Sequence, residues 1–219
     1  MAMRTVSALL VFTALAALPV VAQHGAAPHG DRVQRDPVSY MTSLDDPARA
    51  AWQKPDEVVA ALALRPGDVV ADIGAGSGYF ALRFAPLLPQ GRVLAVDVSQ
   101  PMLDEVGRRA TAAGMRNLVP VLGGFDDPRL PAGGVDVIFT CNTWHHIDGR
   151  DAYLARVKAA LKPGGRVAVV DFHKDSPRGP ANMKLARAAV VDEFQRNGFR
   201  LAAEHTFLPD QYFLVFTAS

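Results

Sequence analysis

From residue 55 onward, apolar and polar positions alternate between two rhythms. Short apolar, β-branched runs closed by a turn are "DVVADIG" (68–74), "RVLAVDV" (92–98), "LVPVLG" (118–123), "VDVIFTCN" (135–142) and "RVAVVDF" (166–172). Such runs predict buried strands. Between them lie stretches with helical spacing and the punctuation of helix ends. "PDEVVAALAL" opens on Pro55 and two acids and puts Val58, Val59 and Leu62 on one face. Phe80, Phe84, Leu87 and Leu88 form a second stripe, stopped by Pro89 and Gly91. "PMLDEVGRRATAAG", "RDAYLARVKAAL" (Tyr153, Val157 and Leu161 on one side, then "KPGG") and "LARAAVVDEFQRNG" predict three more helices. "FRLAAEH" and "YFLVFT" are separated by only "TFLPDQ", too short for a helical crossover, so they predict an antiparallel pair.

Strands alternating with helices predict an α/β domain: a Rossmann-like, doubly wound, mostly parallel seven-stranded sheet with a final antiparallel strand and helices on both faces. Ligands on such sheets bind at the carboxyl ends of the strands, near the switch in strand order.

The chain before residue 55 has a different character. Arg4 precedes an apolar, uncharged run Val6–Val21 that ends in "VVAQ". This is the pattern of a secretory signal peptide, with cleavage expected after Ala22. The alternative is an uncleaved anchor: the uncharged run Thr5–Ala22 has 18 residues, at the short edge of the roughly 17–25 that a span needs. Residues 23–36 are polar, aperiodic and contain Gly and Pro, and read as a flexible lead-in; His24 and His29 within it lack further ligands. Residues 38–53 predict a short helix or two carrying Tyr40, Met41, Leu44 and Trp52, which pack or form a lid. The expected organisation is therefore a signal peptide over 1–22, a lead-in and helical lid over 23–54, and the α/β domain over 55–219. The localisation this implies is periplasmic or secreted, with no stable membrane insertion after cleavage.

Half of the residues are hydrophobic, which supports one domain with a substantial core. Loss of Arg4 with the leader takes the formal charge from +1 to zero, so composition argues against an electrostatic nucleic-acid binder. The single Cys141 lies in an apolar run; it excludes an internal disulfide and reads as a small core residue.

The chemistry concentrates in "ADIGAGSGYF" (71–80). Gly74, Gly76 and Gly78 come directly after the first strand. They permit a sharp turn and a close approach of ligand to backbone, and are expected to present free amides at a helix start. A dinucleotide fingerprint needs its third glycine at position 79, where Tyr79 stands, and no Gly-Lys-Ser/Thr succeeds it for a phosphate loop. Asp72 before the turn suits an ammonium group better than phosphates. Asp97, ending the second strand, suits ribose hydroxyls. A ribose, an amino cation and a carboxylate together describe S-adenosylmethionine.

These stretches resemble the motifs of class I S-adenosylmethionine-dependent methyltransferases. "VVADIGAGSGYFA" is similar to their first motif, "VLAVDVS" to the second and "VDVIFTCNTWHHI" to the fourth-strand motif. "LKPGGRVAVVDF" is similar to the helix, turn and fifth strand of the same family. The similarity covers about residues 55–217 and points to small-molecule enzymes like those that methylate ubiquinone and menaquinone precursors. The resemblance implies S-adenosylmethionine as cofactor and a small-molecule methyl acceptor. It assigns Asp72, Gly74, Ala75, Gly76, Gly78, Asp97, Val98, Phe125, Asp126 and Asn142 to cofactor binding. Gly124 stands where the family often has an acid, so Asp126 is the substitute and Phe125 a cover for the adenine. "NTWHH" replaces the Asn-Pro-Pro-Tyr of enzymes acting on planar amino groups.

His145 and His146 are candidate general bases, with loop capping or packing as the plainer alternative; two adjacent histidines do not make a metal site. Asn142, Trp144 and Tyr153 are candidate pocket residues, and His173 a weaker one. A non-catalytic binding module of the same fold and a nicotinamide oxidoreductase are the competing functions, the latter disfavoured by Tyr79.

Overall fold

A computed structural model describes residues 37–219. The expected signal peptide, the lead-in with His24 and His29, and the side chain of Tyr40 lie outside the described residues.

The described residues begin with three short helices, α1 (Pro37–Leu44), α2 (Arg49–Gln53) and α3 (Pro55–Ala61). Then come β1 (Val69–Ile73), α4 (Ala81–Phe84), β2 (Arg92–Asp97), α5 (Gln100–Ala112), β3 (Leu118–Leu122) and β4 (Val135–Cys141). The last elements are α6 (Arg150–Ala160), β5 (Leu161–Phe172), α7 (Arg187–Arg196), β6 (Phe199–His205) and β7 (Gln211–Ala218). Among the described residues the strands form one seven-stranded sheet in the order β3-β2-β1-β4-β5-β7-β6. The first five strands pair in parallel, and β7 runs antiparallel between β5 and β6. The strand order reverses between β1 and β4, which places a ligand crevice at their carboxyl ends.

The period-2 alternation of the central strands divides the core in two. Val137, Phe139 and Cys141 of β4 join Phe213 and Val215 of β7 on the face covered by α3 and α4, where Val58, Leu62, Phe80, Phe84 and Leu88 pack. Ile138 joins Tyr212, Leu214 and Phe216 on the opposite face, under Trp144, Tyr153, Leu154, Val157 and Phe194. Because both faces are covered, β1, β4, β7 and the second half of β5 from Val167 are almost wholly buried. The edge strand β3 is largely exposed and tolerates Pro120, whose missing N–H would break an interior ladder.

Two local expectations need correction. The stripe after the glycines loses Leu87, which is 45% exposed, while Phe80, Phe84 and Leu88 are buried. Pro86 has no N–H for an α-helical bond, so α4 ends at Phe84 and tightens into a 3₁₀ turn, Ala85–Leu87, which rotates Leu87 outward. β5 also begins five residues before the predicted Arg166. Leu161 pairs with Val135, and a register shift carries "KPGG" before Arg166 meets Val137.

Candidate active site

β1 leaves the sheet at Ile73, and the chain turns through Gly74, Gly76 and Gly78 at φ of 74°, 55° and 88°. This left-handed backbone is where glycine is needed. The turn is tied to β2 at several points. The amides of Gly74 and Ala75 donate to the Val96 carbonyl at 2.8 and 3.0 Å. The Gly76 amide donates to Asp97 Oδ2 at 2.8 Å, and Ser99 N donates to Asp97 Oδ1 at 2.9 Å. Gly78 N donates to the Ala75 carbonyl. Four amides expected to await an anion are thus already engaged, and the helix after the turn is only four residues long.

Asp97 is half-buried and, with Val98, stands at the carboxyl end of β2, level with Leu122 of β3. Val98 and Leu122 are 38% and 42% exposed, unusual for large apolar residues here. The Asp97 carbonyl accepts Gly123 N, which starts the loop bearing half-buried Phe125 and exposed Asp126. Asp97, Val98, Phe125 and Asp126 therefore share one corner of the crevice.

Asp72 is 3% exposed. Burial pushes its carboxyl up to about 7; the Ala81 amide opposes that shift, Asp97 adds to it, and Arg49 opposes it weakly. Burial likewise raises Asp97, against the amides of Ser99, Gly76 and Val98.

Neighbours from distant segments complete the turn. A Cβ on Gly74 would lie 2.2 Å from Thr143 Oγ1, and one on Gly76 would lie 2.8 Å from Leu44 Cδ1 at the end of α1. Asp45 accepts Ser77 Oγ at 2.7 Å and pairs with Arg109 at 2.5 Å, fixing α1 beside the turn and α5. α2 is anchored by buried polar groups. Arg49 Nε donates to Gln53 Oε1 at 2.9 Å, and Gln53 Nε2 donates to Gln211 Oε1 at 2.5 Å. Gln211 Nε2 in turn donates to Asn142 Oδ1 at 2.5 Å. Gln53 also reaches Cys141 Sγ at 3.2 Å, and burial raises that thiol to about 12, so it is a packed and unreactive group. Asn142 adopts φ 55°, with its amide on the Val170 carbonyl, at the end of β4. Trp52 stacks near Phe172 with the Arg178 guanidinium above it.

Further along the sheet edge, His145 Nδ1 lies 2.7 and 2.9 Å from the two oxygens of Asp171, and its backbone amide donates to Asp171 Oδ2. Both side chains are 1% exposed. Among the described residues, His145 Nε2 and Tyr212 Oη are buried with no hydrogen-bond partner. Asp171 and Tyr212 face each other across β5 and β7. His146 stacks 4.2 Å from His145 and is half-buried. Trp144 and Tyr153 do not line a pocket. Trp144 is 1% exposed and donates Nε1 to Glu193 at 2.9 Å, and Tyr153 is 3% exposed against it. His173 sits over Tyr212 beside a shallow depression with Ser176 and Asp210.

Sequence reasoning misses Arg49, Gln53, Gln211, Thr143 and Asp171. Asp171 has a readable signal: an acid ending a buried strand, as at Asp97. Arg49 and Gln53 stand at i and i+4, but five helical residues give too little pattern to reveal a buried face.

Residues 70–165 match the family described as a methyltransferase domain. The chain is 34% identical over 131 residues to a demethylmenaquinone methyltransferase of Symbiobacterium thermophilum, covering 58% of this chain and 52% of that protein. It is 25% identical over 160 residues to an uncharacterized methyltransferase, YdaC, of Bacillus subtilis, covering 73% of this chain and 84% of the relative. The chain spans about half the length of several curated relatives it matches. Its fold is similar to the crystal structure of a SAM-dependent methyltransferase from Aquifex aeolicus, with a TM-score of 0.79 and 24% identity, over 85% of this chain and all of that one.

Proposed function

We propose that this chain, which carries a methyltransferase domain of the S-adenosylmethionine-dependent fold, transfers a methyl group from that cofactor to a small-molecule acceptor. The observation that carries the reading is the bond from Gly76 N to Asp97 Oδ2. It locks the glycine turn to a strand-end carboxylate at the reversal of strand order, inside the segment that matches the family. The residues present fit the cofactor. Asp97 takes the ribose hydroxyls, and the exposed apolar surface of Val98, with Phe125, takes the adenine, whose amino group falls to Asp126. Buried Asp72, with no cation paired to it among the described residues, suits the ammonium, and Asn142 completes the wall.

When bound, the cofactor supplies a methyl group already activated on a sulfonium. The chain's own work is to hold the acceptor in line and keep water out. Effective molarities from positioning reach 10⁵–10⁸ M, on the order of 7–11 kcal/mol of a barrier. Where the acceptor must lose a proton, the two histidines after β4 are the candidate bases: Asp171 holds His145 Nδ1 and so favours the tautomer with its lone pair on the buried Nε2, and His146 beside it is half-buried. The test is transfer of labelled methyl from S-adenosylmethionine to a broad panel of small hydroxyl, thiol, amine and activated-carbon acceptors. A labelled product supports the reading; cofactor binding without any product favours a non-catalytic module.

We further infer that residues 1–22 direct export and are removed after Ala22, leaving residues 23–54 as lead-in and lid to the domain over 55–219. Arg4, the apolar run and its small-residue end support this. N-terminal sequencing of the native protein after fractionation tests it. A chain starting at Gln23 outside the cytoplasm is expected, and Met1 on a cytoplasmic chain would overturn it.

A further inference from the structure

The segment from Leu44 to Gln53 runs from the turn after β1 to the end of β4, and its two ends are held differently. At the near end, a Cβ on Gly76 would lie 2.8 Å from Leu44 Cδ1, so α1 ends against the glycine turn. At the far end, Gln53 reaches Cys141 Sγ at 3.2 Å and Gln211 Oε1, at the start of β7, at 2.5 Å. Gln53 is fully buried, and the chain then passes through Lys54, at φ 44°, into α3, whose Val58 belongs to the core. Arg49 braces the span between the ends. Its Nη1 donates to the Leu44 carbonyl and its Nε to Gln53 Oε1, both at 2.9 Å, and its guanidinium rests 3.9 Å above the Tyr79 ring.

Little apolar burial holds this span. Among the described residues, none of 41–53 belongs to either core cluster, and most of residues 42–51 are exposed. Helices of eight and five residues do not persist in water without support. Asp45 ties the near end to the body of the domain. Its Oδ1 accepts Ser77 Oγ at 2.7 Å, and its Oδ2 pairs with Arg109 Nη2 at 2.5 Å. Ser77 is fully buried within the turn, and Arg109 stands on α5, where Glu105 holds its Nε at 2.6 Å. The Asp45 and Arg109 side chains are each 28% exposed, so salt screens the pair. The far end is thus neutral, buried and bonded to the sheet, while the near end is charged and partly open to solvent.

We propose that residues 41–53 form a lid that swings about Lys54, and that Asp45 is its latch, setting how fast the cofactor enters and leaves. The proposal rests on the S-adenosylmethionine reading above. A ligand seated at the carboxyl ends of β1 and β4 lies under this span, so exchange requires the span to lift. Lifting breaks the two bonds of Asp45 and the contact of Arg49 with Tyr79. The bonds from Arg49 to Leu44 and Gln53 stay inside the moving piece. The latch bonds involve no ligand atom, so they oppose entry as well as release.

The test is hydrogen exchange of the full chain, then stopped-flow binding of S-adenosylhomocysteine, in wild type and Asp45→Asn. The substitution is expected to speed amide exchange over residues 41–53 by about 3- to 10-fold, the effect of one partly exposed charged contact, and to leave the strands unchanged. Trp52 rides on the span and reports binding by its fluorescence. Association and release are both expected to quicken by a similar factor, so that Kd moves by less than about threefold. Raising salt from about 0.05 to about 0.5 M is expected to quicken release from wild type but not from Asp45→Asn. Arg109→Gln is expected to act in the same direction and serves if Asp45→Asn does not fold. Unchanged exchange over 41–53 would overturn the proposal, as would exchange that rises equally in the strands, the mark of a general loss of stability. So would salt-insensitive release from wild type, or faster release without faster association, the mark of a contact to the ligand. If wild type does not bind S-adenosylhomocysteine, the cofactor reading itself fails, and the exchange result alone decides the latch.

Discussion

The two halves of the crevice satisfy their polar groups in different ways. At the β1–β2 end, most bonds are donated by backbone amides to an adjacent strand, Gly74 and Ala75 to Val96, Gly76 and Ser99 to the Asp97 carboxylate, with Asp45 of the α1 end adding side-chain bonds to Ser77 and Arg109. At the β4–β5–β7 end they are made by side chains from remote segments: Gln53 with Gln211, Gln211 with Asn142, His145 with Asp171. The first arrangement is rigid and leaves no choice of residue at its left-handed positions. Among the described residues the second leaves the buried atoms His145 Nε2 and Tyr212 Oη without partners, where the turn leaves Tyr79 Oη. Under the proposed function, the difference assigns cofactor placement to the glycine turn and acceptor choice to the side-chain end.

The largest effect separating the halves is expected at Gly74. Gly74→Ala puts a Cβ into the Thr143 side chain at a positive φ. The strain and overpacking are expected to destabilise by about 2–4 kcal/mol, read by urea unfolding, with cofactor binding lost. At the other end, His145→Ala removes the imidazole from Asp171 but leaves the amides of residue 145 and Phe172 bonded to that carboxylate. A loss of about 1–3 kcal/mol is expected, with S-adenosylhomocysteine affinity little changed. A collapse of affinity here would break the division between the halves.

A smaller effect concerns the buried carboxylate of Asp72. Asp72 has a folded-state pKa of about 7 against 3.8 for the free group. The folded state then binds the extra proton between those values, so stability from this group is present below about 4 and falls as pH rises toward 7. Asp72→Asn removes that slope and is expected to gain about 1–2 kcal/mol at pH 8 in thermal unfolding, after allowance for local relaxation. It is also expected to weaken a cationic ligand. Cofactor binding by wild type, conversely, strengthens as pH rises through 7 and Asp72 ionises. An unchanged pH profile in the variant would place the titrating group elsewhere.

Legibility in the sequence divides along the same line. β1, β2, β4 and β7 are nearly continuous apolar runs, and the turn at 74–78 is punctuated by glycine, so local chemistry suffices to order the elements and locate the crevice. Leu87 misleads because the apolar stripe extends past Pro86, which ends the α-helical ladder. Trp144 and Tyr153 suggest a pocket because aromatic residues near a strand end look alike whether packed or exposed. Glu193 and Phe194 of α7, about fifty residues away, bury Trp144, and Tyr153 packs against it. Arg49 and Gln53 gain meaning only when β7 brings Gln211 beside β5 and the Asn142 loop, a pairing that no local pattern encodes.

The most direct test of the account is titration of S-adenosylhomocysteine into the wild-type chain and into Asp97→Ala. One saturable site is expected, weakened at least about tenfold by the substitution, since it removes both the ribose acceptor and the anchor of the Gly76 amide. Absence of binding by wild type, or an affinity unmoved in Asp97→Ala, would contradict the site described for this chain.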